Sequence, residues 1–395
     1  MLVMMYRVTV FMIAVLLLSS SFILADYKLG LQYFKQGKYI ESASEFQAEV
    51  DRAPHYDYGF YMLGMCYMML GKNEPALSNF RKAVDLAPNK FDYHVGIAQM
   101  YVKQQKFYNA AEVLNASSAL ANSTAEKFQL YYLRGLAYAG QRRHAEAVID
   151  LKNARQIKAS QSVLEQLGKS CHQEGDFTCA IDAFRESLKL DANSYDANFY
   201  LSKALIEKAK TESDKSKKKP LYIEAMKYAE KVARSRPNDF ENINLLASAH
   251  FGAGNLDTAV EKFKEVIRLK PNYCWAMVNL AKVLRFQQKF QEAESWLENA
   301  IQCDPQSSVA YETLGYILLK QERLEQALEI YQKIYSISPN SSIAESIDRV
   351  KTNIEIRDYN KKIADLEKLN EEEQKRYDEL KKKEEYWRKK QEEGI

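Results

Sequence analysis

The 395-residue chain carries 56 Lys and Arg against 53 Asp and Glu, a formal net charge of +3. No global field draws nucleic acid or an anionic surface, so neither is an expected partner. With only 14 Gly and 8 Pro, few strand-like alternations and long runs of good helix formers, the composition predicts an almost wholly helical protein.

The N-terminus stands apart from this pattern. Met1 to Arg7 carries one positive charge, Val8 to Leu18 is apolar, and small residues lead through Ile23-Leu24-Ala25 to Asp26. Residues 1–25 therefore read as a signal peptide cleaved after Ala25, which predicts a secreted or periplasmic protein. The alternative is an uncleaved membrane anchor over residues 8–25, just long enough to span a bilayer. The membrane enters the expected function only through this leader.

From Gly30 onward one small residue recurs: Gly30, Gly64, Ala98, Gly135, Gly168, Ser202, Ala247, Ala281 and Gly315. Most intervals are 34 residues, and a period of that length is one helix-turn-helix unit that cannot bury its apolar face alone. Two antiparallel helices approach closely only where one lacks a bulky side chain, so these markers predict the contact points of nine hairpins. The second unit adds Leu63, Tyr67, Ala76, Phe80, Ala83 and Pro88. The third is degenerate, with Leu114 and Asn122 in place of an aromatic and a proline. The last block is the most regular, with Pro237, Pro271, Pro305 and Pro339 spaced by 34 and Ala259, Ala293 and Ala327 at the matching small position.

This pattern resembles the tetratricopeptide repeat family. The resemblance implies an all-α, right-handed α-solenoid of about nine units over residues 26–340. It also implies a non-catalytic scaffold that binds protein or peptide segments in a concave groove lined by the first helix of each unit. The alternative is a membrane-anchored accessory protein of envelope assembly or secretion. On the free face of the first helices lie Tyr27, Leu31 and Phe34, then Tyr58, Tyr61, Met65, Met68 and Met69, then Tyr132. Farther along come Lys169 and Lys203, and then Trp275, Lys282 and Arg285, which predicts an apolar N-terminal groove and a basic continuation. Family members that hold a chaperone's C-terminal carboxylate place Lys and Asn where this chain has Tyr27, Leu31, Tyr61 and Met65, so that mode is not expected.

The sixth unit is interrupted by residues 208–219, rich in Lys and closed by Pro220, which read as a solvated turn insertion between its helices. After Pro339, Ile343, Ile347, Val350 and Ile354 recur at helical steps and predict a capping helix over 341–357. The charged tail, 358–395, is expected to be helical. Leu366 and Leu369 fit coiled-coil seam positions while Glu373, Arg376 and Lys383 interrupt them, so self-association and a solitary solvated helix both stay open.

Five cysteines, few and odd in number, predict a fold not held by disulfides. Cys171 and Cys179 fall on the two helices of one hairpin and either face each other or are small buried apolar residues. The five histidines are scattered, with no Cys-x-x-Cys, no Gly-rich phosphate loop and no Gly-x-Ser-x-Gly, so no metal, cofactor or catalytic residue is expected. The adjacent Cys171-His172 pair has no identifiable partners for nucleophilic chemistry.

Overall fold

A computed structural model describes residues 27–392 and Gly394, and every regular element among them is helical. The expected leader, 1–25, lies outside the described residues. The chain divides into two compact units, one ending at Ser213 and the other starting at Asp214, and the division falls inside the sixth repeat.

In the first unit α1 covers 27–35 and pairs with α2 (Tyr39–Arg52). The next hairpins are α3 (Asp57–Met69) with α4 (Asn73–Leu86), α5 (Phe91–Lys103) with α6 (Phe107–Ala116), α7 (Thr124–Gly140) with α8 (His144–Ile157), and α9 (Gln161–Glu174) with α10 (Phe177–Leu190). α11 (Tyr195–Thr211) then packs on α10 and α9. In the second unit α12 (Lys215–Ser235) packs on α13 (Phe240–Ala253), followed by α14 (Leu256–Leu269), α15 (Cys274–Phe286), α16 (Phe290–Cys303), α17 (Ser308–Lys320), α18 (Leu324–Ile337) and α19 (Ser341–Glu392).

The small markers sit where close packing needs them. A Cβ on Gly64 would stand 2.8 Å from the Phe80 ring, one on Gly135 would stand 2.8 Å from Leu151, and one on Gly168 would stand 2.6 Å from Phe184. Ala98, Ser202, Ala247 and Ala281 are fully buried, as are Ala259, Ala293 and Ala327. In the degenerate third unit Leu114 is fully buried in the aromatic's place. A short 3-10 turn, Ser118–Leu120, takes up the longer interval before α7. Ser123 opens α7 with a capping box, exchanging hydrogen bonds with Glu126, which satisfies donors that a helix start leaves unpaired.

A second periodic feature lies seven residues after eight of the nine markers, all but Ser202. Gly37, Gly71, Gly175 and Gly254 take positive φ there, and Gln105, Arg142, Gln288 and Glu322 hold the same left-handed conformation in their units. Those eight hairpins reverse at this turn, and only glycine adopts it without a Cβ penalty.

Two expectations are corrected. Residues 208–219 are not a turn: α11 runs to Thr211 and α12 starts at Lys215, leaving a three-residue connection with Pro220 inside α12. Asp214 caps α12 by accepting from the Ser216 backbone N–H, and the lysines are good helix formers, so the inserted residues lengthen both helices. The second correction concerns sulfur: Cys171 is bonded to Cys179, with Cα atoms 5.8 Å apart, and Cys274 to Cys303, with Cα atoms 5.7 Å apart. The first pair spans the tight turn of the α9–α10 hairpin, and the second closes the open end of α15–α16. Cys66 is free and buried.

The start of α19 packs on α18. Ile343 and Val350 are buried, and Ile347 and Ile354 pack on the same core. The helix continues unbroken through the charged tail.

Candidate functional site

Three first helices, α1, α3 and α5, bring the N-terminal site residues together. Tyr27 lies 5.6 Å, ring centre to ring centre, from Tyr58, Tyr58 lies 5.9 Å from Tyr61, and Tyr61 stacks at 4.9 Å on Tyr93. The Tyr93 hydroxyl donates to Asp57 Oδ2 at 2.7 Å, tying α5 to the start of α3. Leu31 and Phe34 pack beside this row on the core of the first repeats, and Met65 and Met68 on that of the next. Met69 is 49 % exposed. Burial pushes the Tyr61 and Tyr56 phenols up to about 12 and raises those of Tyr58 and Tyr93 as well. The row therefore stays neutral at physiological pH, an apolar surface edged with hydroxyl groups. Tyr93 and Asp57 did not stand out in the sequence; Tyr93 falls one residue beyond the repeat equivalent of Tyr58.

Tyr132 continues on α7, stacked on Phe128 at 6.0 Å. Beyond it the expected basic character is offset locally. Lys169 Nζ donates to Asp196 Oδ2 at 2.5 Å and lies 5.1 Å from the Tyr200 ring centre. His172 makes edge contacts with Phe177 and Tyr200. Burial, then the charge of Lys203, lowers the His172 pKa, while Glu207 pulls it upward. The folded chain thus prefers a neutral imidazole. Its contribution to stability is complete above the ordinary histidine pKa and is lost as pH falls below it. His172→Gln should accordingly flatten the loss of thermal stability between pH 7.5 and pH 5, and an unchanged slope would remove His172 as its source.

In the second unit, Lys282 and Arg285 line a recess of about 390 Å³ with Glu312, Tyr316 and, from the start of α19, Ser342 and Ser346. The Arg285 guanidinium lies 4.5 Å from the Tyr316 ring centre and 5.0 Å from that of Phe286, a cation placed between exposed aromatic faces. Trp275, at the head of α15, is 53 % exposed and is not among the residues lining that recess.

Among the described residues no group of three or more His, Cys, Asp or Glu side chains could hold a metal ion. No described helix is long and apolar enough to cross a membrane. The sites present are surfaces of packed helices, suited to recognising side chains.

Models described as tetratricopeptide repeat match residues 27–91, 162–194 and 272–340, and one described as anaphase-promoting complex, cyclosome, subunit 3 matches 218–300. Among curated proteins, the BBSome complex member BBS4 homolog of Drosophila melanogaster is 22% identical over 216 residues, 53% of this chain and 44% of that protein. Protein O-mannosyl-transferase TMTC3 of Mus musculus is 24% identical over 207 residues, 49% of this chain and 21% of that protein. The chain spans less than half the length of either relative. Among solved structures, a tetratricopeptide repeat protein from Parabacteroides merdae superposes with a TM-score of 0.52 at 17% identity, covering 66% of this chain and 98% of that one. That likeness shows the shared fold.

Proposed function

Because the chain is a tetratricopeptide repeat protein, we propose that it is a non-catalytic scaffold holding protein or peptide segments against the free face of its first helices. The observation that carries this reading is the face of α3, where half-buried Met65 and Met68 and exposed Met69 adjoin a neutral tyrosine row. Methionine and tyrosine offer adaptable apolar area with some polar reach, as a surface that captures hydrophobic segments requires. The recess at Lys282 and Arg285 suits an acidic or aromatic side chain of a bound segment. A relative named as a member of a multiprotein complex is consistent with such a role.

Introducing carboxylates at Met65 and Met69 tests the reading. Tyr61 is left intact because its ring is stacked on Tyr93 and lies 5.9 Å from Phe80. Met65→Glu combined with Met69→Glu should lower capture of the native partner by about tenfold or more, equivalent to ~1.4 kcal/mol, with helical content unchanged by circular dichroism. Undiminished capture would reject the site.

The chain is further proposed to be exported. Support comes from the apolar run ending in small residues at Ala25 and from two disulfides, which persist chiefly in oxidising compartments. Sequencing the mature N-terminus decides the form: Asp26 first marks cleavage, and Met1 retained marks an anchor over residues 8–25.

A further inference from the structure

α19 is one helix with two different faces. Near its start, Ile343, Ile347, Val350 and Ile354 pack on the last repeat. From residue 356 to residue 389 every side chain is exposed, a length of roughly 50 Å at 1.5 Å per residue. Alternating steps of three and four from Ile356 to Trp387 pick out ten positions, of which seven are apolar or aromatic and three are Asn370, Glu373 and Glu384. A strict seven-residue repeat of this kind is the mark of a seam between paired helices. In this register Leu369 lies on the flank.

The three polar positions select the arrangement. Parallel pairing of two copies would set Glu373 against Glu373 and Glu384 against Glu384 in the seam, and across the flanks Arg376 beside Lys381 and Lys383 beside Arg388. Those contacts are repulsive, two seam layers and two flank pairs against one attractive flank pair, Lys362 with Glu367, and one amide layer, Asn370 with Asn370. Antiparallel pairing centred between Glu371 and Glu372 gives a different result. Glu373 then meets Asn370 of the second copy, whose amide can donate to the carboxylate, and Glu384 meets Tyr359, whose hydroxyl can do the same. The remaining layers set Leu366 against Tyr377, Ile363 against Leu380 and Ile356 against Trp387, apolar on apolar throughout. The repulsive flank contact left, Lys362 with Lys383, is at the solvent edge and screened by salt.

We propose that the exposed seam of α19 is covered by α19 of a second copy of this chain, antiparallel and in that register. Pairing two scaffolds tail to tail would present two sets of binding faces in one assembly, so that a partner carrying two segments could bind both at once.

The experiment uses the full chain. Sedimentation of the natural sequence at tens of micromolar should give a dimer, and Leu380→Asp, at an exposed position, should give a monomer of unchanged helical content. Direction is read by cysteine crosslinking with two separately prepared variants, Ile356→Cys and Trp387→Cys. Mixed, they should form an interchain disulfide. Trp387→Cys alone should form none, because the antiparallel register holds its two copies roughly 45 Å apart. A monomeric natural chain, or a crosslink formed by Trp387→Cys alone, would overturn the proposal.

Discussion

Phe80→Ala is expected to lower the unfolding free energy by about 3 to 5 kcal/mol, the range for removing a fully buried aromatic side chain. Phe80 is wholly buried on α4. It serves two contacts at once: a Cβ would stand 2.8 Å from its ring if added to Gly64 of α3, and 2.6 Å if added to Gly96 of α5. One ring therefore fills the space left by two glycines on successive repeats. Its loss opens a cavity that neither rigid helix can close, because both backbones already lie against the ring. Denaturant titration of the variant reads the effect directly. A change below about 1 kcal/mol would mean that the α3–α4–α5 contact does not depend on this packing.

Removing the Cys274–Cys303 bond is the second large effect. The bond joins residues 29 apart, and closing a loop of that size restricts the unfolded chain by roughly 3 to 4 kcal/mol, against about 2.5 kcal/mol for the eight-residue separation of Cys171 and Cys179. Cys274→Ser with Cys303→Ser should therefore destabilise more than Cys171→Ser with Cys179→Ser, provided each pair is changed together. Reductant should destabilise the natural chain and leave the Cys274/Cys303 double variant less affected. Equal sensitivity of the two would show that this bond does not constrain the fold.

Most of the architecture was readable because one constraint repeats. Two helices cannot approach unless a small residue meets a large one, so Gly64 with Phe80 and Gly168 with Phe184 are visible as spacing alone. The same register could have placed the disulfides. Cys274 precedes its marker by seven residues and Cys303 follows it by twenty-two, positions at the same open end of one hairpin. Counting cysteines hid this, because an odd total says nothing about which helix ends meet. The inserted segment differs for another reason: its lysines resemble a solvated loop by charge, yet they propagate a helix well, and α12 continues through Pro220, its sixth residue.

The candidate site was readable only in part. Side chains on the free face of a first helix follow from helical periodicity, which groups Tyr58, Tyr61, Met65 and Met68. What those side chains do to one another does not follow. Lys169 is a free positive charge on a helical projection, but Asp196 from the next first helix pairs with it. Arg285 likewise finds the ring of Tyr316, thirty-one residues on. Such contacts cross from one repeat to the next, where sequence spacing carries no record of side-chain direction.

The most direct test places a photoreactive amino acid at Met69, exposed on the first-helix face of α3, and in parallel at Ile40, exposed on α2, the second helix of its repeat. Irradiation in the native extract should give a discrete protein adduct from position 69 and none from position 40. Adducts from position 40 with none from position 69 would contradict recognition by the first helices.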